Sequence, residues 1–118
     1  MTSAKRGDAA GLTEAERKTL RLRLERERAA ALEVLRSNEQ TARSAEPEIE
    51  PMDAVEVTRE QDDGALLVGR TRAHLREVGD ALARLDAGTY GLSERTGEPI
   101  GFRRLEAIPW TRLGADEE

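Results

Sequence analysis

The chain of 118 residues has no cysteine, which excludes disulfide bonds and thiolate metal sites. Aromatic residues are also scarce, with one Trp, one Tyr and one Phe, so a large globular core is hard to build. No apolar run reaches the length of a membrane span, and the N-terminal sequence has no apolar segment of the kind found in secretory signals. These features predict a cytoplasmic protein without membrane association.

Signatures of an enzyme are missing as well. The sequence has no phosphate loop and no cysteine nucleophile, and its single histidine, His74, falls within a stretch of predicted helix. A lone histidine there is best interpreted as a helix-surface residue. We therefore expect no enzymatic activity.

Charge is what the sequence has in abundance. Charged residues make up 36% of the chain, and the net charge is −5. This composition, rich in Ala, Leu, Glu and Arg, is typical of long exposed helices or coiled coils. The net negative charge argues against nucleic acid as the main partner, because phosphate binding depends on an excess of basic residues. We therefore expect no direct DNA binding.

The sequence around Thr13 predicts the start of a helix. Thr13 and Glu16 have the spacing of a capping box, and Leu12 stands where a hydrophobic staple would use it. The predicted first helix runs from about Glu14 to about Ser44. Its apolar stripe is interrupted by polar residues and consists of Leu20, Leu24, Ala31, Leu35 and Ala42, with Leu32 and Val34 as a second row.

A second helix is predicted from near Asp53 or Val55 to about Ala87. Its seam residues follow each other in steps of four and three, which is the spacing of a coiled coil. They are Val57, Gln61, Gly64, Val68, Thr71, Leu75, Val78, Leu82 and Leu85. Because polar residues and glycine dilute the first half of this seam, we expect that half of the helix pair to be looser.

Two prolines, Pro47 and Pro51, separate the helices, since proline lacks the backbone N–H and a helix cannot run through it. A connection this short makes the helices antiparallel neighbours. Residues 46–56 carry five acidic side chains and no basic one, so they form an acidic tip. Acidic turns are also common as plain solvated loops, and the spacing here does not follow the calcium-binding EF-hand.

The character of the sequence changes after residue 87. Gly88 is suited to end the second helix, and glycines and prolines punctuate the rest of the chain. We predict a compact knob with a small hairpin near residues 97–102 and a helical turn at residues 103–107. Its expected core is Tyr90, Ile100, Leu105, Pro109 and Trp110, with contact to a partner as the alternative for Trp110.

The predicted fold is therefore mostly α. Residues 1–11 are expected to be a disordered lead-in and residues 12–87 a long antiparallel coiled-coil hairpin. Residues 88–113 form the knob and residues 114–118 an acidic tail that we expect to be frayed.

Three blocks of the knob carry a resemblance to a known family. They are Gly-Thr-Tyr-Gly at residues 88–91, Gly-Glu-Pro-Ile at 97–100 and Arg-Arg-Leu-Glu-Ala-Ile-Pro at 103–109. With this spacing, and with a first helix that opens on Leu-Thr-Glu-Ala-Glu, the chain resembles the DksA/TraR family from about Leu12 to Leu113. Members of that family are transcription regulators that bind bacterial RNA polymerase directly, not DNA.

The resemblance implies that the knob is like a finger that usually holds zinc through four cysteines. Those positions fall at Ser93, Thr96, Gly114 and Glu117, and none is cysteine. The chain therefore looks like a zinc-free member with a zinc-finger-like knob, and we expect no metal or other cofactor. Packing has to hold such a knob, and Trp110 is the residue expected to replace the metal.

The acidic tip also resembles that of the family. The Asp-x-x-Asp-x-Ala pattern found there falls on Glu50, Asp53 and Val55 in this chain. The resemblance implies that the helix pair enters the secondary channel of RNA polymerase, that the tip approaches the active site, and that initiation is modulated. The replacements at Glu50 and Val55 bear on the strength or sign of that effect.

Basic residues at matched positions point to further contacts. Arg70, Arg103 and Arg104 are candidates for contact with the rim of the polymerase channel, and solvated surface charge is an equal alternative. Some family members form a guanosine tetraphosphate site together with polymerase. Two of its positions fall on Glu77 and Ile108, which do not attract phosphate, so a weak or absent response to the nucleotide is expected.

The heptad pattern of the two predicted helices also fits a second hypothesis. A heptad seam is also typical of a coiled-coil dimerisation or scaffold protein with no polymerase role. The two hypotheses differ in self-association, because the polymerase regulator is expected to be a monomer and the scaffold protein is expected to dimerise.

Overall fold

The computed structural model describes residues 9–44 and 54–117, and the side chains of residues 9–41 and 63–117. These ranges contain the helices α1 (Glu14–Ser44), α2 (Ala54–Ala87) and α3 (Phe102–Ala107), followed by a 3-10 helix at Ala115–Glu117. The molecule measures 73 × 25 × 20 Å. The prediction of a mostly α fold built on two long helices is thus confirmed.

The two long helices pack as an antiparallel pair, called the rod below. Near one end, Nη2 of Arg21 donates a hydrogen bond to Oδ1 of Asp86 at 2.9 Å. Farther along, a Cβ atom added at Gly64 would lie 3.8 Å from the side chain of Asn38. Residue numbers therefore rise along α1 where they fall along α2.

The start of α1 is held by the capping box that the sequence predicts. The backbone N–H of Glu16 donates to Oγ1 of Thr13 at 3.0 Å, and the N–H of Thr13 donates to Oε1 of Glu16 at 2.9 Å. These bonds satisfy two donors at the helix start that would otherwise lack a partner. Leu12, just before the cap, is 2% exposed, so the first turn is anchored on the core.

The buried core lies where the rod meets the knob. Its members are at most 7% exposed and come from the segment before α1, from the seam and from the knob: Ala10, Leu12, Leu20, Leu24, Val78, Ala81, Leu82, Tyr90 and Leu105. Burial of one large aliphatic side chain contributes about 1.5–3 kcal/mol. The rod is therefore held most firmly at its knob end.

Several large apolar side chains of the rod are exposed, from Leu22 near the knob end of α1, at 41%, to residues farther from the knob. Leu66 and Leu67 on α2 are 52% and 47% exposed. Leu32 and Val34, predicted to widen the apolar side of α1, are 50% and 37% exposed, so that part of the prediction is wrong. The physical reason is that α1 has one long partner helix, which covers a narrow seam and leaves the second row in solvent. Within residues 9–44 and 54–117, no helix combines the length and apolar character that a membrane crossing requires.

The knob begins at Gly88, where α2 ends with a φ of 81°. The N–H groups of Thr89 and Tyr90 both donate to the carbonyl of Arg84, which satisfies the end of the helix. A tight loop follows, in which Leu92 forms an antiparallel bridge with Pro99. The pairing thus lies earlier than the hairpin predicted at residues 97–102.

The segment before α1 packs into the knob. A Cβ atom added at Gly91 would lie 2.9 Å from Cβ of Ala10 and 3.1 Å from Cδ1 of Leu12, so only glycine fits there. Ala10 is 6% exposed, which corrects the prediction that the lead-in 1–11 is wholly disordered. Residues 1–8 of that lead-in lie outside the described residues.

Candidate functional site

The knob closes around Tyr90. Its ring is buried, with 1% exposure, and its hydroxyl donates a hydrogen bond of 2.8 Å to the carbonyl of Pro109. Burial is the main cause that raises the pKa of the Tyr90 phenol. Leu105 and Pro109 are fully buried as well, while Ile100 and Trp110 are partly buried and pack against the core.

Trp110 reaches from the knob to the rod. Its indole meets the imidazole of His74 on α2 edge-to-face, with ring centroids 4.5 Å apart and an interplanar angle of 89°. Nε2 of the same imidazole lies 3.7 Å from Oε2 of Glu27 on α1. His74 therefore connects both helices of the rod with the knob, and Trp110 combines partial burial with a specific contact.

A polar clasp closes the knob on its other side; the name denotes Ser93, Thr96, Gly114 and Glu117. The Ser93 hydroxyl donates to Oε1 of Glu117 at 2.6 Å, and Oγ of Ser93 accepts the N–H groups of Arg95 at 3.1 Å and of Thr96 at 3.2 Å. The N–H of Gly114 donates to the other carboxylate oxygen of Glu117. The structure thus brings together the four positions at which the resemblance places the zinc-binding cysteines.

The clasp holds the Glu117 carboxylate in its ionised form. The hydrogen bond from Ser93 and the N–H of Gly114 are the two largest causes that lower the pKa of Glu117. Arg95 contributes further, and its guanidinium donates to the backbone carbonyl of Glu117 at 3.1 Å. The prediction of a frayed acidic tail is therefore wrong for residues 114–117, because these bonds fix the last turn.

The residues of the clasp do not fit a zinc ion. Two hydroxyls, a glycine without a side chain and one carboxylate lack the thiolate or imidazole ligands of structural zinc. Both oxygens of the Glu117 carboxylate already accept hydrogen bonds within the knob. Across the part of the chain that the structure describes, there is no group of three or more His, Asp or Glu side chains able to hold a metal ion.

Arg112 is the main polar link between knob and rod. Its guanidinium donates to Glu77 through Nε at 3.0 Å, to Asp80 through Nη2, and to Glu94 through Nη1 at 2.7 Å. The pKa of Arg112 is raised, first by the hydrogen bond to Glu77. Sequence reasoning missed this residue, since its three partners lie 18 to 35 positions away.

A second arginine, Arg84, lies beneath this link and was also missed. Its Nη2 donates to the carbonyl of Thr111 at 3.5 Å. Burial, and then the positive charge of Arg112, lower the pKa of Arg84. The knob end of α2 therefore carries a half-buried cation close to an outer, carboxylate-bound one.

Of the tip residues predicted from the sequence, the structure describes only the backbone of Val55. Glu50 and Asp53 lie outside the described residues, and Val55 belongs to the first turn of α2 with its side chain outside the described set. In the sequence, all three lie between the end of α1 and the first turn of α2, whereas the clasp and Arg112 follow the C-terminal end of α2.

The three predicted basic contacts lie in two places. Arg70 is exposed on α2, one turn from His74, beside a shallow depression lined by Ala30, Val34 and Thr71. Arg103 is exposed on α3, and Arg104 next to it is partly buried.

Comparison with known proteins places this architecture. No protein-family model matches the sequence. The transcription factor DksA2 from Pseudomonas aeruginosa has the same fold, with a TM-score of 0.82 and 30% identity over 96% of this chain and 88% of that one. The chain therefore belongs to the DksA/TraR family of transcription regulators, as a member without cysteine.

Two curated relatives match parts of the sequence. One, named RNA polymerase-binding transcription factor DksA, from Caulobacter vibrioides, is 33% identical over 90 residues, which are 73% of this chain and 63% of that protein. An uncharacterised protein of Aquifex aeolicus is 56% identical over 43 residues, or 36% of this chain and 30% of its own length. The chain thus spans less than two thirds of each of these relatives.

Proposed function

We propose that this chain binds bacterial RNA polymerase as a transcription regulator that enters the secondary channel of the enzyme. The observation that carries the proposal is the fold match to DksA2, which extends over rod and knob alike. The Caulobacter relative, named as polymerase-binding, supports the same partner. DksA2 and the Caulobacter relative are both named as transcription factors, which supports a role other than catalysis by the chain itself.

The shape of the molecule supports insertion into a channel. With 73 Å in length and 25 × 20 Å across, the protein has the width of two packed helices and can enter an opening that a globular domain cannot. The knob gathers all three aromatic residues and the polar links between knob and rod. It is suited to remain outside and fix the depth of insertion.

The acidic tip is the part proposed to act on the polymerase active site. Glu50, Asp53 and Val55 are the residues assigned to this role. Carboxylates placed near a metal ion or a basic loop change its electrostatic energy without any chemistry by the protein that carries them. Through this field the tip would modulate initiation.

The outer contacts are assigned to basic residues of the rod and the knob. Arg70, Arg103 and Arg104 are proposed to contact the rim of the channel. A weak or absent response to guanosine tetraphosphate is proposed because Glu77 is acidic and already binds Arg112. The protein is proposed to act in the cytoplasm as a monomer, without direct contact to DNA.

The test is a pull-down or native mass spectrum with bacterial RNA polymerase core, followed by transcription in vitro. Asp53→Asn removes one charge at the tip, and Asp116→Asn removes one in the last turn of the knob, as the matched control. We expect all three proteins to bind and only Asp53→Asn to lose the effect on initiation. If the wild type does not bind core polymerase at low salt, the proposal is refuted.

One observation favours the second candidate, a coiled-coil scaffold. Leu32, Leu66 and Leu67 expose about half of their surface on the rod, and such side chains are often covered by a partner. Light scattering over a range of concentrations decides between the two. A constant monomer mass supports the polymerase regulator, and a mass that doubles with concentration supports the scaffold.

A further inference from the structure

The angle between knob and rod depends on few contacts. The apolar core joins them near Leu105, and Trp110 touches His74 on one flank. On α1, Arg23 reaches across to the backbone carbonyl of Glu106. The main polar contact to α2 is made by the guanidinium of Arg112.

Arg112 binds both α2 and a loop of the knob. Glu77 and Asp80 lie one turn apart on α2, and Glu94 belongs to the loop that follows Leu92 in the knob. Glu94 is joined to Arg112 a second time, because its backbone N–H donates to the carbonyl of Arg112 at 2.9 Å. A planar guanidinium with donors on fixed sides holds such partners at defined angles, which a lysine ammonium does not do.

The contact depends on the positive charge of Arg112, because acidic side chains surround it. Three carboxylates, on Glu77, Asp80 and Glu94, converge on it. Without Arg112, the Glu94 carboxylate would face the two acids of α2, and the half-buried Arg84 would remain to attract all three. Attraction between knob and rod would become repulsion, because like charges brought this close disfavour each other.

We propose that Arg112 is the positioning residue that sets the angle of the knob on the rod. The part of the proposal that concerns polymerase rests on the proposed function. Tip and knob contacts at opposite ends of a rod engage one partner together only when their geometry is fixed, and avidity is lost when it is not. Arg112 would thereby control polymerase affinity without touching polymerase.

The absence of cysteine allows a direct measurement of this angle. Two cysteines introduced at the exposed positions Arg28 on α1 and Glu98 in the knob loop accept spin labels without competition from native thiols. Pulsed electron paramagnetic resonance then gives the distribution of distances between the two spin labels. We compare Arg112→Gln and Arg112→Lys with the control Arg76→Gln. Arg76 is an exposed arginine on α2, and it forms no ion pair with the residues that the structure describes.

The expected result is a narrow distribution for the wild type and for Arg76→Gln. Arg112→Gln broadens or shifts the distance distribution. Arg112→Lys gives an intermediate width, because the positive charge remains while the fixed geometry of the guanidinium donors is lost. An unchanged distribution in Arg112→Gln overturns the proposal. Circular dichroism and the emission of Trp110 report whether each variant still folds.

A salt titration of the wild type covers the case in which Arg112→Gln fails to fold. The Arg112 side chain is 30% exposed, so salt screens its ion pairs in part. We expect the wild-type distribution to broaden between about 0.1 M and 1 M sodium chloride, because the screening length falls about threefold over that range. A distribution that does not respond to salt overturns the proposal.

Polymerase binding is measured with the same variants. We expect Arg112→Gln to bind core polymerase about tenfold more weakly than Arg76→Gln, because a variable angle forfeits part of the roughly 10²–10⁴-fold gain that two coupled contacts can provide. Equal affinities would overturn the link from angle to binding. If the wild type itself does not bind, the proposed function fails, while the distance measurement still decides whether Arg112 sets the angle.

Discussion

The hydroxyl of Ser93 donates a hydrogen bond of 2.6 Å to Oε1 of Glu117, a residue 24 positions later in the chain. The same hydroxyl oxygen accepts two backbone N–H groups of its own loop. The pair stands at two of the four positions where the resemblance places zinc-binding cysteines. A carboxylate with hydrogen bonds on both oxygens thus occupies the centre of a finger that cannot hold zinc through thiolates.

The charge of Glu117 is predicted to stabilise the knob. Glu117→Gln keeps the shape of the side chain but weakens its bonds to Ser93 and Gly114, since bonds to a charged acceptor are stronger than those to an amide. We expect the melting temperature to fall by a few degrees. Glu98→Gln changes an exposed carboxylate in the loop that contains Ser93; it is the control and is expected to melt like the wild type.

Acid is predicted to remove the same stabilisation. Because the pKa of Glu117 is lower in the folded protein than in the unfolded chain, the contribution is complete above the unfolded value of about 4.3 and disappears as the pH falls through the folded value. The gap in melting temperature between wild type and Glu117→Gln should therefore close as the pH drops below that range. A gap that stays constant to pH 2 would contradict this origin.

Cysteines at the four clasp positions are predicted to create a zinc site. A Cβ atom added at Gly114 would lie 2.8 Å from Oε2 of Glu117, so the two positions point toward each other. The variant S93C/T96C/G114C/E117C should bind one zinc ion per chain, measured by metal analysis after gel filtration. The control S93C/T96C offers two thiols and should retain little metal. Equal zinc content in both would show that the four positions do not converge.

Gly91 and Gly97 offer a matched pair for the contact between the lead-in and the knob. Both have positive φ, 86° and 75°, so alanine at either position costs about 1–2 kcal/mol of backbone strain. Only at Gly91 does the added Cβ collide with Ala10. Urea unfolding should show Gly91→Ala to be less stable than Gly97→Ala by about 1–3 kcal/mol. Equal losses would mean that Ala10 does not pack there.

The Tyr90 hydroxyl is predicted to contribute to the free energy of unfolding through its hydrogen bond. Tyr90→Phe leaves the ring in place but deprives the carbonyl of Pro109 of a donor that comes from the knob core. Leaving a buried acceptor without a partner costs about 1–3 kcal/mol. The free energy of unfolding in urea measures this loss. Tyr90→Leu should cost more, because it also removes the ring, and a loss no larger for leucine would contradict the burial of Tyr90.

Local signals in the sequence were enough for the rod. The capping box at Thr13 and the stop at Gly88 act within one helical turn, so their geometry follows from neighbouring residues alone. The seam spacing predicts that the two helices pack together, and the short connection between them predicts that they are antiparallel. The prediction for the second row at Leu32 is wrong because a single partner helix covers only a narrow seam of α1 and leaves that row in solvent.

The polar closure of the knob could not be predicted in the same way. In the sequence, Glu117 looks like part of an acidic tail, and Arg112 looks like one more surface arginine. Their partners lie 24 and 35 positions away, and only the fold brings them together. The absence of cysteine excludes a thiolate zinc site, but it does not reveal which contacts close the knob.

The packing of Ala10 beside Gly91 also has a mechanical consequence. Residues 10 and 117 both belong to the knob end of the molecule, so a force that pulls them apart enters through the knob and leaves the far end of the rod unloaded. The strongest apolar contacts lie where this load would enter. The two helices of the rod are thus held together at the knob, and we expect them to separate under this force only after the knob has unfolded.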